Sequence, residues 1–264
     1  MTKQNEILNK DFRRRIAKMC FEGKDGHIPS AFSIIDIVVT LYQKYLKFDA
    51  KKPQWPERDY FILSKGHGCL ALYVVLARHG FITENDLNSF CRSGGILGEH
   101  PDLTKVPGVE ANTGSLGHGL SMAVGLALGL RIRQFKNKIY VLVGDGECQE
   151  GTVWEAANIA NNRELGNLCV VVDWNGSAAQ LMPKENLDAK WKAFGWKTTV
   201  INGHVQKELD QAMRDVQFLS TGQPHVILAK TVKGYGVPLL EGHGTWHHRI
   251  PTQEEMRVIM EALA

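Results

Sequence analysis

The stretch "VLVGDGECQEGTVWEAANIANNRELGNLCVVVDWNG", residues 141–176, decides how this chain folds. Two short apolar runs flank a segment long enough for one helix. Strands separated by helices of this length imply parallel strands joined by crossovers, with helices covering both faces of the sheet. A right-handed crossover brings the ends of both strands, and with them Asp145 and Asn175, to the same carboxyl edge. Ligands of open α/β sheets bind at that edge. Glycines 144 and 146 let the backbone turn sharply around Asp145 and come close to a ligand. The N–H groups of Gly146 and Glu147, with a helix starting near Gly151, then face an anion. One carboxylate and one amide oxygen suit a hard cation such as Mg2+, which takes few protein ligands and completes its shell with phosphate oxygens. Spacing alone leaves two readings open: a metal-bridged diphosphate, or two unrelated strand-end turns, where Asp, Asn and Gly are common.

The rest of the chain carries the same alternation. Helices are expected over 6–22, 31–47 (with Ser30 as N-cap), 66–78, 152–163, 185–194, 206–219 and 252–262. Strands are expected over 60–63, 138–143, 168–173, 197–201 and 225–230. The segment "GHGLSMAVGLALGLRIRQF", 117–135, reads as a buried helix whose small residues allow close backbone packing. A Gly-, His- and Pro-rich loop runs from 93 to 115. A second loop, 231–251, holds four glycines and three histidines, and a loop longer than about 15 residues in a compact domain usually has a function or is disordered. The fold class is therefore α/β, a mostly parallel sheet with helices on both faces, in one domain spanning 1–264.

Bulk properties narrow the function. At 264 residues, 44% hydrophobic and 22% charged, the chain has the composition of one large soluble domain. A net charge of +3 and no long basic block argue against nucleic acid; Arg13-Arg14-Arg15 reads as a solvated helix face. Five cysteines without a CxxC argue against a disulfide framework or structural zinc. The polar N-terminus and the short, glycine-interrupted apolar run at 120–130 argue against a signal peptide or a membrane span. A cytoplasmic protein is expected.

Familiar phosphate motifs are absent. "SKGHG" lacks the GK[ST] ending of a Walker A loop, and Gly144-x-Gly146 is not completed as a dinucleotide fingerprint. The stretch instead resembles the thiamin diphosphate motif, GDG followed about thirty residues later by Asn. Its interior, "GDGECQEG", is similar to that of transketolases. "DGHIPSAFSIIDIV", "LSKGHGCLALY" and "GEHPDLTKVPGVEANTGSLGHGLSMAVG" resemble the family's three histidine segments in order. "KTVKGYGVPLLEGHGTWHH" resembles the loop after its last strand.

That resemblance implies a diphosphate-binding domain with thiamin diphosphate and Mg2+ as cofactors, Ca2+ or Mn2+ serving as substitutes. It assigns Asp145, Asn175 and the main-chain carbonyl of Ser177 to the metal. Gly144, Gly146, Glu147, Asn175 and His67 go to the diphosphate end, and Gly114 and Leu116 to the aminopyrimidine. Glu150 and Glu155 match acids of an interface between subunits; by themselves they read as ordinary helix charges. His27, His67, His100 and His247 match the histidines around the substrate's reacting end, where imidazole moves protons near neutral pH. His248 competes with His247 for that place. His243 and His247, four apart, also permit a metal reading, weakened by the lack of nearby cysteine or carboxylate partners.

Two departures from the family pattern stand out. After Asn175 the chain has "GSAAQLMPKENL" in place of a longer loop, with Ala178 and Ala179 in it and Trp174 before it. The chain also stops where the family's first domain ends. The pyrimidine-binding and C-terminal domains, with the activating glutamate, are therefore expected on a separately encoded partner, in an α2β2 assembly acting on sugars or sugar phosphates. The expected activity is transfer of a two-carbon ketol unit between ketose and aldose. The alternatives are the α subunit of a 2-oxoacid dehydrogenase, a deoxyxylulose-phosphate synthase-like enzyme, and a non-catalytic binding module that keeps the cofactor fold.

Overall fold

A computed structural model describes residues 3–180, 182–242 and 244–264. Its centre is a five-stranded sheet in which every pairing is parallel, in the order β1-β2-β3-β5-β4. The strands are β1 (Tyr60–Leu63), β2 (Ile139–Gly144), β3 (Leu168–Trp174), β4 (Lys197–Asn202) and β5 (His225–Lys230). β2 and β3 lie inside the sheet, and all of their residues but Trp174 are buried. This explains why their sequences are continuously apolar rather than alternating.

The nine helices of the described residues are α1 (Lys3–Gly23), α2 (Ile28–Thr40), α3 (Cys69–Arg78), α4 (Glu84–Asn88), α5 (His118–Ile132), α6 (Gly151–Asn162), α7 (Leu187–Ala193), α8 (Gln206–Asp215) and α9 (Gln253–Ala262). Side chains alternate across a strand, so every strand but β4 feeds two cores. Tyr140, Leu142, Cys169 and Val171 pack with α1, α2, α3 and α8. Val141, Val143, Val170 and Val172 pack with α5, α6 and α7. The chain moves outward from β3 to β4 and back inward from β4 to β5. Right-handed crossovers therefore place α7 and α8 on opposite faces.

Several boundaries differ from the sequence expectation. α2 starts at Ile28, with His27 at the N-cap and Pro29 in the first turn, the place where a missing N–H costs least. Ser30, expected as the cap, is buried inside the helix. The run expected to 47 changes into a π-type turn over Leu41–Tyr45. α4 was not expected at all; it is closed by a capping box in which Thr83 and Asp86 each accept the other's backbone N–H, a T-x-x-D variant of the usual signal. α8 ends at Asp215 rather than 219. α5 is not buried all round. Ser121, Met122, Gly125 and Gly129 are exposed, and a methyl group added at either glycine would touch nothing.

Candidate active site

The carboxyl ends of β2 and β3 are in register, Gly144 beside Asp173, and the Asp145 N–H donates to the Asp173 carbonyl at 3.1 Å. Asp145 and Asn175 are thus neighbours on one edge, as the crossover argument required. Asp145 is 1% exposed, and its carboxylate accepts from Gly146 N–H (2.7 Å) and Ala178 N–H (3.4 Å). Burial, then the nearby Asp173, push its pKa up. A cation at this carboxylate would offset both effects.

Asp173 organises the floor beneath. Its Oδ2 accepts from Lys65 Nζ (2.5 Å), Ser33 Oγ (2.8 Å) and Asn175 Nδ2 (2.9 Å), and its Oδ1 from the Thr231 hydroxyl. Burial alone would raise the Asp173 pKa; the Lys65 ammonium outweighs it and holds the carboxyl below its ordinary value. Because Asp173 takes the amide nitrogen of Asn175, the amide oxygen is the end left to meet a cation. That oxygen accepts from Ser177 N–H at 3.0 Å. Ser177 begins a 3-10 turn to Gln180, so the short loop brings Ala178 N–H back onto Asp145.

Two features of this edge fit an anionic diphosphate. Gly146 has ordinary helical dihedrals (φ −63°, ψ −39°), and an added Cβ there would meet nothing. Its glycine is required neither by conformation nor by packing within this chain, and it leaves open space against the turn. Lys233 is 6% exposed and has no carboxylate partner among the described residues. It donates to Ser177 Oγ (3.3 Å) and His247 Nδ1 (3.0 Å). Burial, then Lys65, lower its pKa. A buried cation with no ion-pair partner suits an anionic ligand.

Glu147 plays a different part with its side chain. It is 2% exposed and accepts from Ser64 Oγ (2.5 Å), Gly117 N–H (2.9 Å) and Gly144 N–H (3.1 Å). It ties the β2 turn to the start of α5, leaving only its backbone for the diphosphate edge. Gly114 has φ 145°, and a Cβ there would lie 2.7 Å from the His100 ring, so this glycine makes room for His100. Leu116 is half-buried beside it. Glu150 stands at the N-cap position of α6 without a side-chain capping bond, and Glu155 lies one turn on; both face solvent.

The histidines converge. Ring centroids are 5.3 Å apart for His27 and His67, 5.2 Å for His27 and His247, and 5.8 Å for His67 and His247. His248 stacks on His27 at 4.5 Å, so both members of the 247–248 pair reach the cluster. His247 faces Lys233, while His248 Nε2 faces Asp25 (3.0 Å) and Glu99 (3.3 Å). Burial, then the neighbouring His248, His247 and His100, depress His27 to about 3. Burial, then Lys65, depress His67 to about 2. His247 is lowered by burial and Lys233. Near neutral pH these three rings are uncharged, able to accept a proton from a hydroxyl or to donate a hydrogen bond to one. The alternative metal reading through His243 falls outside the described residues.

Sequence reading passed over Lys65, Asp173, Lys233, Asp25 and Glu99. The signal for Asp173 was a charged residue at the end of an apolar strand; for the lysines it was a position beside glycine in a matched segment. All five cysteines are free and four are buried. Burial raises the thiol of Cys20 to about 12, which makes it unreactive. No helix among the described residues is long and apolar enough to cross a membrane.

Comparison with known proteins bears directly on this arrangement. Residues 13–263 match the family model described as transketolase, thiamine diphosphate binding domain. The chain is 36% identical over 255 residues to one of the subunits of the apulose-4-phosphate transketolase of Phocaeicola vulgatus, covering 95% of this chain and 90% of that one. It is 38% identical over 243 residues to the 6-deoxy-6-sulfo-D-fructose transketolase subunit SqwG of Clostridium sp., covering 90% and 88%. The solved transketolase of Leishmania mexicana superposes with a TM-score of 0.92 at 27% identity over 98% of this chain, which spans 41% of that longer protein. With this match along nearly its whole length, in sequence and in fold, the chain belongs to the transketolase thiamine diphosphate-binding family.

Proposed function

We propose that this chain is the diphosphate-binding subunit of a two-chain transketolase, moving a two-carbon ketol unit between a ketose and an aldose phosphate. The observation that carries the reading is a juxtaposition. The oxygens of Asp145 and Asn175, the empty side of Gly146 and the buried cation Lys233 share one sheet edge with the imidazoles of His27, His67 and His247. Asp145, Asn175 and the Ser177 carbonyl would hold Mg2+. Gly144, Gly146, the Glu147 backbone, His67 and Lys233 would hold the diphosphate. Thiamin diphosphate, when bound, supplies the carbon nucleophile for ketol transfer. The imidazoles of His27, His67, His100 and His247 would donate hydrogen bonds to, or exchange protons with, the hydroxyls of the sugar at the mouth of the site.

The pyrimidine-binding and C-terminal domains belong to a separate partner in this reading, in an α2β2 assembly with paired sites. Two facts support it. The Phocaeicola and Clostridium relatives are named as subunits of transketolases. The outer face of α5 presents Gly125 and Gly129 with nothing against them, beside exposed Met122 and, at the helix end, Ile132; Glu150 and Glu155 stand on the neighbouring α6. The substrates named for those relatives each carry an anionic group, phosphate or sulfonate, which favours an anionic sugar here.

The test is reconstitution. The chain is purified, supplied with thiamin diphosphate and Mg2+, and assayed on a ketose–aldose phosphate pair with and without a separately expressed pyrimidine-domain partner. Ketol transfer without CO2 release, only in the mixture, is expected. Turnover by the single chain refutes the two-chain reading, and CO2 release points to the 2-oxoacid or deoxyxylulose alternatives. No turnover with any partner leaves a cofactor-fold binding module.

A further inference from the structure

We propose that His27, Glu99 and His248 form a second metal site, of zinc type, at the lip of the pocket and separate from the Asp145–Asn175 site, with Asp25 beside it. Three chain segments meet there: the turn before α2, the loop before His100, and the segment after Gly244. Glu99 Oε1 lies 3.6 Å from His27 Nδ1 and 3.3 Å from His248 Nε2, and His248 Nε2 lies 3.0 Å from Asp25 Oδ1. Zinc–nitrogen and zinc–oxygen bonds of about 2.0–2.2 Å in a tetrahedron place neighbouring ligand atoms roughly 3.3–3.6 Å apart. The two Glu99 separations match edges of such a tetrahedron, and the ligand atoms of His27, Glu99 and His248 all lie within 4.8 Å of one another, leaving a fourth position for water.

A second observation is independent of that spacing. His27 is 8% exposed, and its Nδ1 is buried with no hydrogen-bond partner, aimed at the Glu99 carboxylate. A buried polar nitrogen left unpaired is costly and rare. Two carboxylates also converge on one nitrogen of His248, which carries at most one proton there. Two imidazoles and one carboxylate suit a borderline transition ion such as Zn2+ or Co2+ better than Mg2+, which prefers oxygen throughout. An ion here takes Nδ1 of His27, leaves its Nε2–H to donate a hydrogen bond, and ties the segment carrying His247 to the two loops facing it.

The experiment uses the full chain without a histidine tag, stripped with a chelator. Zn2+ is titrated by calorimetry and Co2+ by visible absorption. The expected result is one ion per chain, a four-coordinate Co2+ spectrum, and at least about a 10-fold loss of affinity in both His248→Ala and Glu99→Gln. Both replaced side chains are partly solvent-exposed, so the variants should fold; circular dichroism checks this. Asp145→Ala, which removes the proposed Mg2+ ligand, should leave the Zn2+ affinity unchanged. No Zn2+ binding to the wild type, equal affinity in the His248 and Glu99 variants, or loss of the ion in Asp145→Ala instead, each overturns the site.

Discussion

Lys65 Nζ lies 2.5 Å from Asp173 Oδ2, and the two side chains are only 1% and 0% exposed. This ion pair sits directly under the candidate metal site, because the same Asp173 oxygen accepts the amide nitrogen of Asn175. Lys65 thus compensates the charge of the residue that fixes which way Asn175 points. The pair links β1's carboxyl end to β3's, and through Thr231 to the loop after β5.

Removing one member of a buried pair leaves the other charge stranded, at a cost of about 3–5 kcal/mol. Lys65→Met should therefore lose roughly that much unfolding free energy, read from chemical denaturation. A loss below about 1 kcal/mol would mean that Asp173 is satisfied by its hydroxyl and amide donors alone.

Asp145→Ala removes the charged ligand and should abolish Mg2+-dependent thiamin diphosphate binding in the assembled enzyme; Asn175→Ala should weaken it. Disturbing residues around a metal's ligands typically costs 10–100-fold in affinity, so losing a ligand itself should cost at least about that. Calorimetry with unchanged cofactor affinity in both variants sinks the assignment.

Gly146→Ala separates folding from binding. The position has helical dihedrals and open space, so the free chain should keep its stability to within about 1 kcal/mol. Cofactor affinity should still fall, because the added methyl occupies the space assigned to the diphosphate. Unchanged affinity would place the diphosphate elsewhere.

His67→Ala and His100→Ala should lower kcat of the reconstituted enzyme at saturating cofactor, with near-native circular dichroism. Groups that move protons in catalysis contribute about 10²–10⁴-fold. Wild-type kcat in both variants would make these histidines loop supports.

Stability should fall on acidification in a window set by His27 and His67. Their folded pKa values, about 3 and about 2, lie below the ordinary histidine value of about 6.5. Between those limits the unfolded chain binds more protons than the folded one, so stability drops as pH falls from about 6.5. A His27→Gln/His67→Gln variant should show a shallower fall in Tm between about pH 6.5 and 4.5, before the carboxylates titrate. Parallel Tm profiles for variant and wild type would contradict the burial argument.

Much of this architecture was legible in the sequence because it rests on local patterns. The apolar runs at β2, β3 and β5 and the helical spans between them predicted a parallel sheet. Crossover handedness then put Asp145 and Asn175 at one edge. The resemblance to transketolases selected the histidines, and the fold brought His27, His67 and His247 together, with ring centroids no more than 5.8 Å apart. Local reading failed where tertiary packing overrode local preference. Ser30 has the chemistry of a helix cap, yet α2 begins earlier, at Ile28, with His27 at the N-cap. The small residues of α5 suggested burial, but Gly125 and Gly129 lie on an open face.

The sequence by itself determined the alternation of strands and helices, because periodicity and turn chemistry are properties of neighbouring residues. Only the tertiary structure decided the roles of residues far apart in the chain. It turned the Glu147 carboxylate away from the site to join Ser64 and Gly117, made Asp173 the hub between Lys65, Ser33 and Thr231, and set Glu99 beside His27 and His248. Such contacts depend on which loops meet at the sheet's carboxyl edge. That meeting is fixed by the packing of two cores on opposite faces, which no short stretch of sequence contains.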